Sequence, residues 1–265
     1  MDQAERGTRF EELHQGATFV IPNPWDAGTA RVLEALGFEA LATTSSGLAF
    51  TLGRPDGTVQ EDEVVEHVRR LTEATDLPVS VDLENGYGAA PERAARAIEA
   101  VAAVGAVGGS IEDFDRDEER LYEPAEAAER IAAAAEAAAR LPFRFMLTAR
   151  AENYFRGNPD LDDTIARLQA YEAAGADVVY APRIRELDDI KAIAEATERP
   201  LNVLADPAMS VEEIAAAGAQ RISVGGTLAW ATIEAMAEIA ARIRDDGDLS
   251  VLRPGSRVAR WLSPE

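Results

Sequence analysis

Short apolar, β-branched runs alternate along this chain with stretches in which apolar residues recur every three or four positions. Thr18-Phe19-Val20-Ile21 reads as a strand, and residues 26–36 read as a helix stopped by Gly37. Ala40-Leu41-Ala42-Thr43-Thr44 is the next strand, followed by an irregular stretch over residues 45–58. Residues 61–75 place Val64, Val65, Val68 and Leu71 at helical spacing. Val79-Ser80-Val81 opens a third strand that breaks at Gly86 and Gly88, and residues 91–104 form a helix with proline in its first turn. Residues 107–111 are a strand ending at Glu112-Asp113, and residues 124–141 an alanine-rich helix. Residues 143–149 are a strand ending at Arg150. Helix 160–174, strand 177–180, helix 186–197, strand 201–204, short helix 211–217 and strand 221–224 follow. After Gly225-Gly226 a long helix runs to about residue 244.

Eight strand–helix units at even spacing predict an α/β chain folded as a (β/α)8 TIM barrel. Gly37, Gly105, Gly175 and Gly218 serve as the helix stops before strands. A doubly wound open sheet is the competing architecture. No linker divides the chain, so residues 1–265 are expected to be one barrel domain with a short N-terminal lead-in. The C-terminal tail begins after Gly247 and has Trp261 as its large anchor. With 47% hydrophobic residues such a chain can bury a large core. Its net charge of −22 argues against nucleic acid or an anionic membrane as partner. No run of about 18 apolar residues occurs, and the first 16 residues lack an apolar signal core, so a soluble, cytoplasmic protein is expected. With no cysteine, disulfides, thiolate metal sites and a cysteine acid are all excluded.

Barrel chemistry sits at the C-terminal ends of strands. There the chain places Asn23 and Asp26, then Thr44, Ser45, Ser46 and Gly47, then Asp82 and Glu84, Glu112 and Asp113, Arg150 and Glu152, Tyr180, Asn202 and Asp206. Side chains alternate along a strand, so Asp82 and Glu84 point the same way. Two adjacent carboxylates repel unless a cation lies between them, and an oxygen-only cluster suits Mg²⁺ or Mn²⁺ better than zinc. Two solvated acids in a polar loop is the plainer reading of the pair. His14 and His67 are read as surface or packing residues, without a catalytic role.

The set Thr44-Ser45-Ser46-Gly47-Leu48, Val81-Asp82-Leu83-Glu84-Asn85-Gly86-Tyr87-Gly88, Ile111-Glu112-Asp113 and Thr148-Ala149-Arg150 resembles the isocitrate lyase/phosphoenolpyruvate mutase superfamily. The resemblance spans roughly residues 19–244. It implies a barrel whose last helix swaps between subunits of a homodimer or homotetramer. It also implies Mg²⁺ and a small 2-oxo or 2-hydroxy carboxylate substrate. Carried over, Asp82 is the direct metal ligand, Glu84 and Glu112 hold the metal partly through waters, and Asp56 is a further acid. Ser46, Gly47 and Leu48 hold the substrate carboxylate, with Thr44, Ser45 and Asn202 beside them. Arg150 contacts the oxygen on which enolate charge collects. Apart from the resemblance, Tyr180 at the end of strand six is within reach as a proton donor, with water as the alternative.

The departures narrow the chemistry. The lyase branches carry a Lys-Lys-Cys-Gly-His loop after strand four, and here Phe114-Asp115-Arg116-Asp117-Glu118-Glu119-Arg120-Leu121-Tyr122 stands in its place. The charged segment around residues 113–122 is expected to be a mobile gate. The phosphonate branch's lysine-containing loop is also missing. What remains is an Mg²⁺-dependent carbon–carbon lyase that works through an enolate, similar to an oxaloacetate decarboxylase. A P–C bond enzyme of the phosphoenolpyruvate mutase or phosphonopyruvate type is one alternative, and a non-catalytic Mg²⁺ and 2-oxo-acid binding protein is another. A phosphate-binding barrel enzyme is also considered, because Ser223-Val224-Gly225-Gly226 precedes a helix.

Overall fold

Strand β1 (Phe19–Ile21) leads into helix α2 (Ala27–Ala35), β2 (Leu41–Ala42), α3 (Ser45–Thr51) and α4 (Glu61–Ala74). Then come β3 (Val79–Asp82), α5 (Pro91–Ala102), β4 (Gly108–Glu112) and a hairpin of β5 (Phe114–Asp115) and β6 (Arg120–Leu121). The chain continues as α6 (Pro124–Ala139), β7 (Met146–Arg150), α7 (Leu161–Ala173), β8 (Val178–Tyr180) and α8 (Leu187–Ala196). It ends with β9 (Leu201–Leu204), α9 (Val211–Ala216), β10 (Arg221–Ser223), α10 (Thr227–Asp246) and α11 (Ser256–Trp261). This computed structural model describes residues 1–253 and 255–262. The parallel strands run in the order β1-β10-β9-β8-β7-β4-β3-β2, and Ala42 N–H donates to the Pro22 carbonyl at 3.0 Å across the remaining gap. The result is a nearly closed (β/α)8 barrel.

Between strands and helices lies one apolar layer, with Val81, Leu83, Ile98, Ile111, Leu147, Val179 and Ile222 all buried. Inside the barrel the filling is different. Branched aliphatic side chains usually dominate barrel interiors. Here Ser80, Ser110, Asn202, Arg221 and Ser223 line a cavity that opens at the C-terminal mouth. The opposite end is stoppered by a helix that the sequence pattern reads only as a lead-in, α1 (Gln3–Gln15). A capping box of Asp2 and Glu5 starts it, and it buries Phe10, Leu13 and His14. Its Gly7 lies so close to strand-side backbone that a Cβ there would come within 2.3 Å of the Arg144 carbonyl oxygen.

Several expectations are corrected. Residues 45–58 are not irregular throughout, because α3 occupies the first half, with the Thr44 hydroxyl accepting from Gly47 N–H at 3.4 Å. Ser-Ser-Gly reads as a turn until Leu48 and Ala49, both buried, supply the reason to coil. Residues 114–121 form an antiparallel hairpin. Its anchors come early: Asp115 is buried and accepts from Asp117 and Glu118 N–H, and the Arg156 guanidinium stacks over Phe114 at 3.5 Å. Strand β7 begins at Met146, later than read. The tail docks as α11 on α2, and Arg31 donates to the Leu262 carbonyl at 3.3 Å.

Candidate active site

The strand-three motif owes its shape to a tight turn. Leu83 ends in the core, Glu84 and Tyr87 take left-handed backbone angles (φ 50° and 61°), and Gly86 follows suit at 78°. A Cβ on Gly86 would meet the Ala94 Cα at 2.8 Å, so the turn presses directly on α5. From α6 the buried Arg130 donates to the carbonyls of Asn85 and Ala89 and stacks on the Tyr122 ring at 4.5 Å. A neighbouring pin is Asp113, which is buried and accepts from Glu152 N–H (2.7 Å), Arg167 (3.0 Å) and the Tyr171 hydroxyl (2.5 Å). It ties the ends of β4 and β7 together.

On this scaffold four carboxylates meet three guanidinium groups. Arg150 Nη1 lies 3.3 Å from Glu112 Oε2 and 3.8 Å from Asp82 Oδ1, while its Nε lies 2.5 Å from Glu152. Arg116, from the hairpin, is 3.1 Å from Glu84 and 3.4 Å from Glu112. Arg156 reaches Glu112 at 3.5 Å and Glu152 at 3.1 Å. Asp82 accepts from Ser45 N–H and Glu84 N–H, each at 3.2 Å. Burial, then the facing Asp82 and Glu112 charges, push the Glu84 carboxyl up to about 8 against the pull of Arg116. Burial and the neighbouring Glu152 push Glu112 up to about 7.

The cavity at the mouth, about 140 Å³, is lined by Thr44, Ser45, Ser46, Asp56, Asp82, Arg150, Tyr180 and Asn202 among others. Glu84 and Glu112 stand behind this wall, covered by Arg116 and Arg150. Gly47 and Leu48 do not face the cavity. Gly47 packs against Thr44 and Trp25, Leu48 is buried, and the Leu48 N–H donates to the Thr44 carbonyl at 3.0 Å. Asp56 is exposed at the rim, accepting from its neighbour Gly57 N–H. The N–H groups of Val224 and Gly225 both donate to Asn23 Oδ1, at 3.0 and 2.8 Å. They are therefore taken, and the phosphate-corner reading loses these two donors.

Residues 10–244 match the phosphoenolpyruvate phosphomutase family along most of the chain. The chain belongs to that family, within the isocitrate lyase/phosphoenolpyruvate mutase superfamily. A candidate lyase/mutase from Burkholderia cenocepacia J2315 is 49% identical, with TM-score 0.95 over 99% of this chain and 97% of that one. The 2-methylisocitrate lyase of Halalkalibacterium halodurans is 30% identical over 92% of this chain and 84% of its own length. The oxaloacetate decarboxylase of Bradyrhizobium sp. is 31% identical over 80% and 72%. A phosphonopyruvate hydrolase solved with oxalate and Mg²⁺ is 25% identical, with TM-score 0.85 over 98% of this chain and 95% of that one.

The residues fit a divalent cation by donor chemistry. The set is all oxygen, the Tyr87 hydroxyl is buried without a hydrogen-bond partner, Glu112 Oε2 has only the ion pair with Arg150, and two carboxyls are raised in a way that a cation would reverse. Among the described residues no three acids converge as a ready coordination sphere. The carboxylates are instead paired with arginines, Glu84 and Glu112 with Arg116, and Asp82 and Glu112 with Arg150. Sequence reasoning did not select Arg116 or Arg156, which sit on loops whose direction no periodicity encodes. It also passed over Arg221, an arginine at the start of a strand and therefore far from the mouth by position alone.

Proposed function

We propose that this barrel is an Mg²⁺-dependent lyase (Mn²⁺ serving in its place) that breaks a C–C bond in a small 2-oxo or 2-hydroxy dicarboxylate through an enolate. The observation that carries the reading is one cluster: Asp82 and Glu112 beside Arg150, with Glu84 joined to Glu112 through Arg116, next to a small polar cavity. In this reading Asp82, Glu84, Glu112 and the rim residue Asp56 hold the metal, which supplies Lewis acidity toward the substrate's carbonyl oxygen. Thr44, Ser45, Ser46 and Asn202 present polar atoms to the bound acid, and Gly47 and Leu48 fix the loop behind them. Arg150 is planar, largely enclosed with Glu112, Glu152 and the Tyr180 and Phe155 rings around it, and positioned to donate to an oxygen that gains charge. Tyr180 faces the same cavity and supplies a proton. The hairpin β5–β6 covers the acids through Arg116 and acts as the gate. One barrel domain per chain, with α10 exchanged between subunits, completes the reading.

Oxaloacetate is the substrate to try first, since its decarboxylation needs neither a thiol nor a phosphoryl-handling side chain. The charged hairpin, with Asp115, Asp117, Glu118 and Glu119, is poorly suited to a phosphonate dianion. The deciding measurement is oxaloacetate loss by the purified protein with Mg²⁺, set against free Mg²⁺ alone. Rates well above background support the lyase. Equal rates with this and related acids, despite tight binding, would leave a binding protein.

A further inference from the structure

Tyr180, Asn202 and Arg221 are register partners on three adjacent strands, so they share one rung of the barrel interior. Arg221 is 5% exposed, yet its side-chain partners are all neutral. Its Nε donates to Asn202 Oδ1 at 2.8 Å, Nη2 to Thr148 Oγ1 at 2.9 Å and Nη1 to His14 Nε2 at 3.2 Å. The His14 ring is neutral, because burial and then Arg221 lower it to about 3 while its Nδ1–H donates to the Phe10 carbonyl at 2.7 Å. Among the described residues no carboxylate acts on Arg221, and the phenol of Tyr180 is the one ionisable group that favours its charge. Burying a cation without a counter-charge is costly, because the lost hydration is not repaid by an opposite charge. This chain has 48 acidic residues and puts none of them there.

The hydrogen bonds leaving Arg221 have a direction. Asn202 accepts from the guanidinium through Oδ1 and donates through Nδ2 to Ser223 Oγ at 3.1 Å. With its oxygen engaged, the Ser223 hydroxyl has its proton to give, and it lines the same cavity as the Tyr180 phenol, whose ionised form it favours. All four side chains line the one cavity.

We propose that Arg221, acting through Asn202 and Ser223, stabilises the Tyr180 phenolate and so makes Tyr180 the proton donor to the carbanion left by C–C cleavage. This rests on the lyase reading above. In the step, the Tyr180 O–H bond breaks, its proton forms a C–H bond at the carbon next to the carbonyl, and the electron pair stays on the phenolate oxygen. Water restores the phenol once product has left. Burial, with Glu152 and Asp82, holds the Tyr180 phenol up at about 12, while Arg150 and Ser223 favour ionisation. Tyr180 therefore keeps its proton at neutral pH, which a general acid requires, and the relay lowers the cost of releasing it. Arg221, Asn202 and Ser223 are positioning residues.

The test places a fluorinated tyrosine at position 180, so that the phenol ionises at lower pH, and follows it by ¹⁹F NMR. Ser223→Ala removes only the last link and should raise the midpoint by about one pH unit, tenfold in ionisation constant. Arg221→Met should raise it at least as far. In the unlabelled protein with Mg²⁺ and pyruvate in D₂O, methyl-proton exchange should fall about tenfold in Ser223→Ala. That loss should disappear when Tyr180→Phe is already present. The titration needs no substrate: an unmoved midpoint in folded Ser223→Ala overturns the relay and leaves the lyase reading standing. Exchange in Tyr180→Phe as fast as in the parent protein overturns Tyr180 as donor. Failure of the parent protein to exchange or turn over any 2-oxo acid overturns the lyase reading, and the donor role with it.

Discussion

Asp82 illustrates how one side chain can be both structural and chemical. Its carboxylate accepts two backbone N–H groups and stands 3.8 Å from Arg150, so asparagine can keep the acceptor at Oδ1 while removing the charge. Asp82→Asn is expected to fold normally and to lose about 10–100-fold or more in Mg²⁺ affinity by calorimetry. Unchanged affinity would place the metal elsewhere. Arg150 is the second residue at this scale, and a lysine there keeps charge but not the planar fork. Arg150→Lys should cost about 2–4 kcal/mol in kcat/KM, as lost oxyanion donors do, with a smaller effect on metal binding. His14 gives a prediction free of the metal. Its folded value, about 3, lies below the unfolded one near 6.5, so the unfolded chain binds the extra proton as pH falls. Stability is full above about pH 6.5 and is lost on going down toward pH 3, with a slope approaching about 1.4 kcal/mol per pH unit. Urea titrations of the parent and His14→Gln should diverge over that window; parallel curves would refute the assignment.

At the scale of elements, the chain was readable where one face of a segment is apolar. The spacing of Val64, Val68 and Leu71 identifies α4, and the β-branched run before Asp82 identifies β3, because burial selects those residues directly. The acids of the candidate site were legible for the same reason: they sit where strands end. What escaped was held by contacts rather than periodicity. Helix α1 is mostly polar and is fixed by Phe10, Leu13 and His14 plugging the barrel. Helix α3 depends on the Thr44 cap, a contribution of about 1 kcal/mol. The hairpin β5–β6 is fixed by charge, since Arg116 bridges two acids and its guanidinium sits against Gly57, where a Cβ would come within 2.0 Å. In the proposed reading, Arg116 competes with a metal for Glu84 and Glu112. Arg116→Gln should raise Mg²⁺ affinity several-fold and hasten proteolysis near Glu119 at the hairpin tip. Weaker Mg²⁺ binding in that variant would make Arg116 a supporter of the site rather than a rival.

For the whole molecule, the conflict lies between a surface of net charge −22 and one helix that behaves as though it were not at the surface. Helix α10 is 20 residues long, about 30 Å, and buries only Ala229. Leu228, Trp230, Met236 and Ile239 are exposed along it, and Phe50 meets Trp230 edge-to-face with ring centroids 5.5 Å apart. Phe50 and Leu52 extend the apolar surface onto the barrel mouth. No helix among the described residues is long and apolar enough to cross a membrane, so a bilayer-spanning role does not account for α10. A second copy would account for it if a two-fold pair laid each α10 over the other's α3, covering both patches with one contact. Sedimentation velocity of the full chain should then show a dimer or tetramer. Trp230→Glu with Met236→Glu should shift it to monomer while the circular dichroism of the barrel persists. Like-charged copies repel, so association should strengthen as salt rises from about 10 mM to 150 mM. A monomer at micromolar concentration across that range would end the exchanged-helix reading and leave the barrel standing.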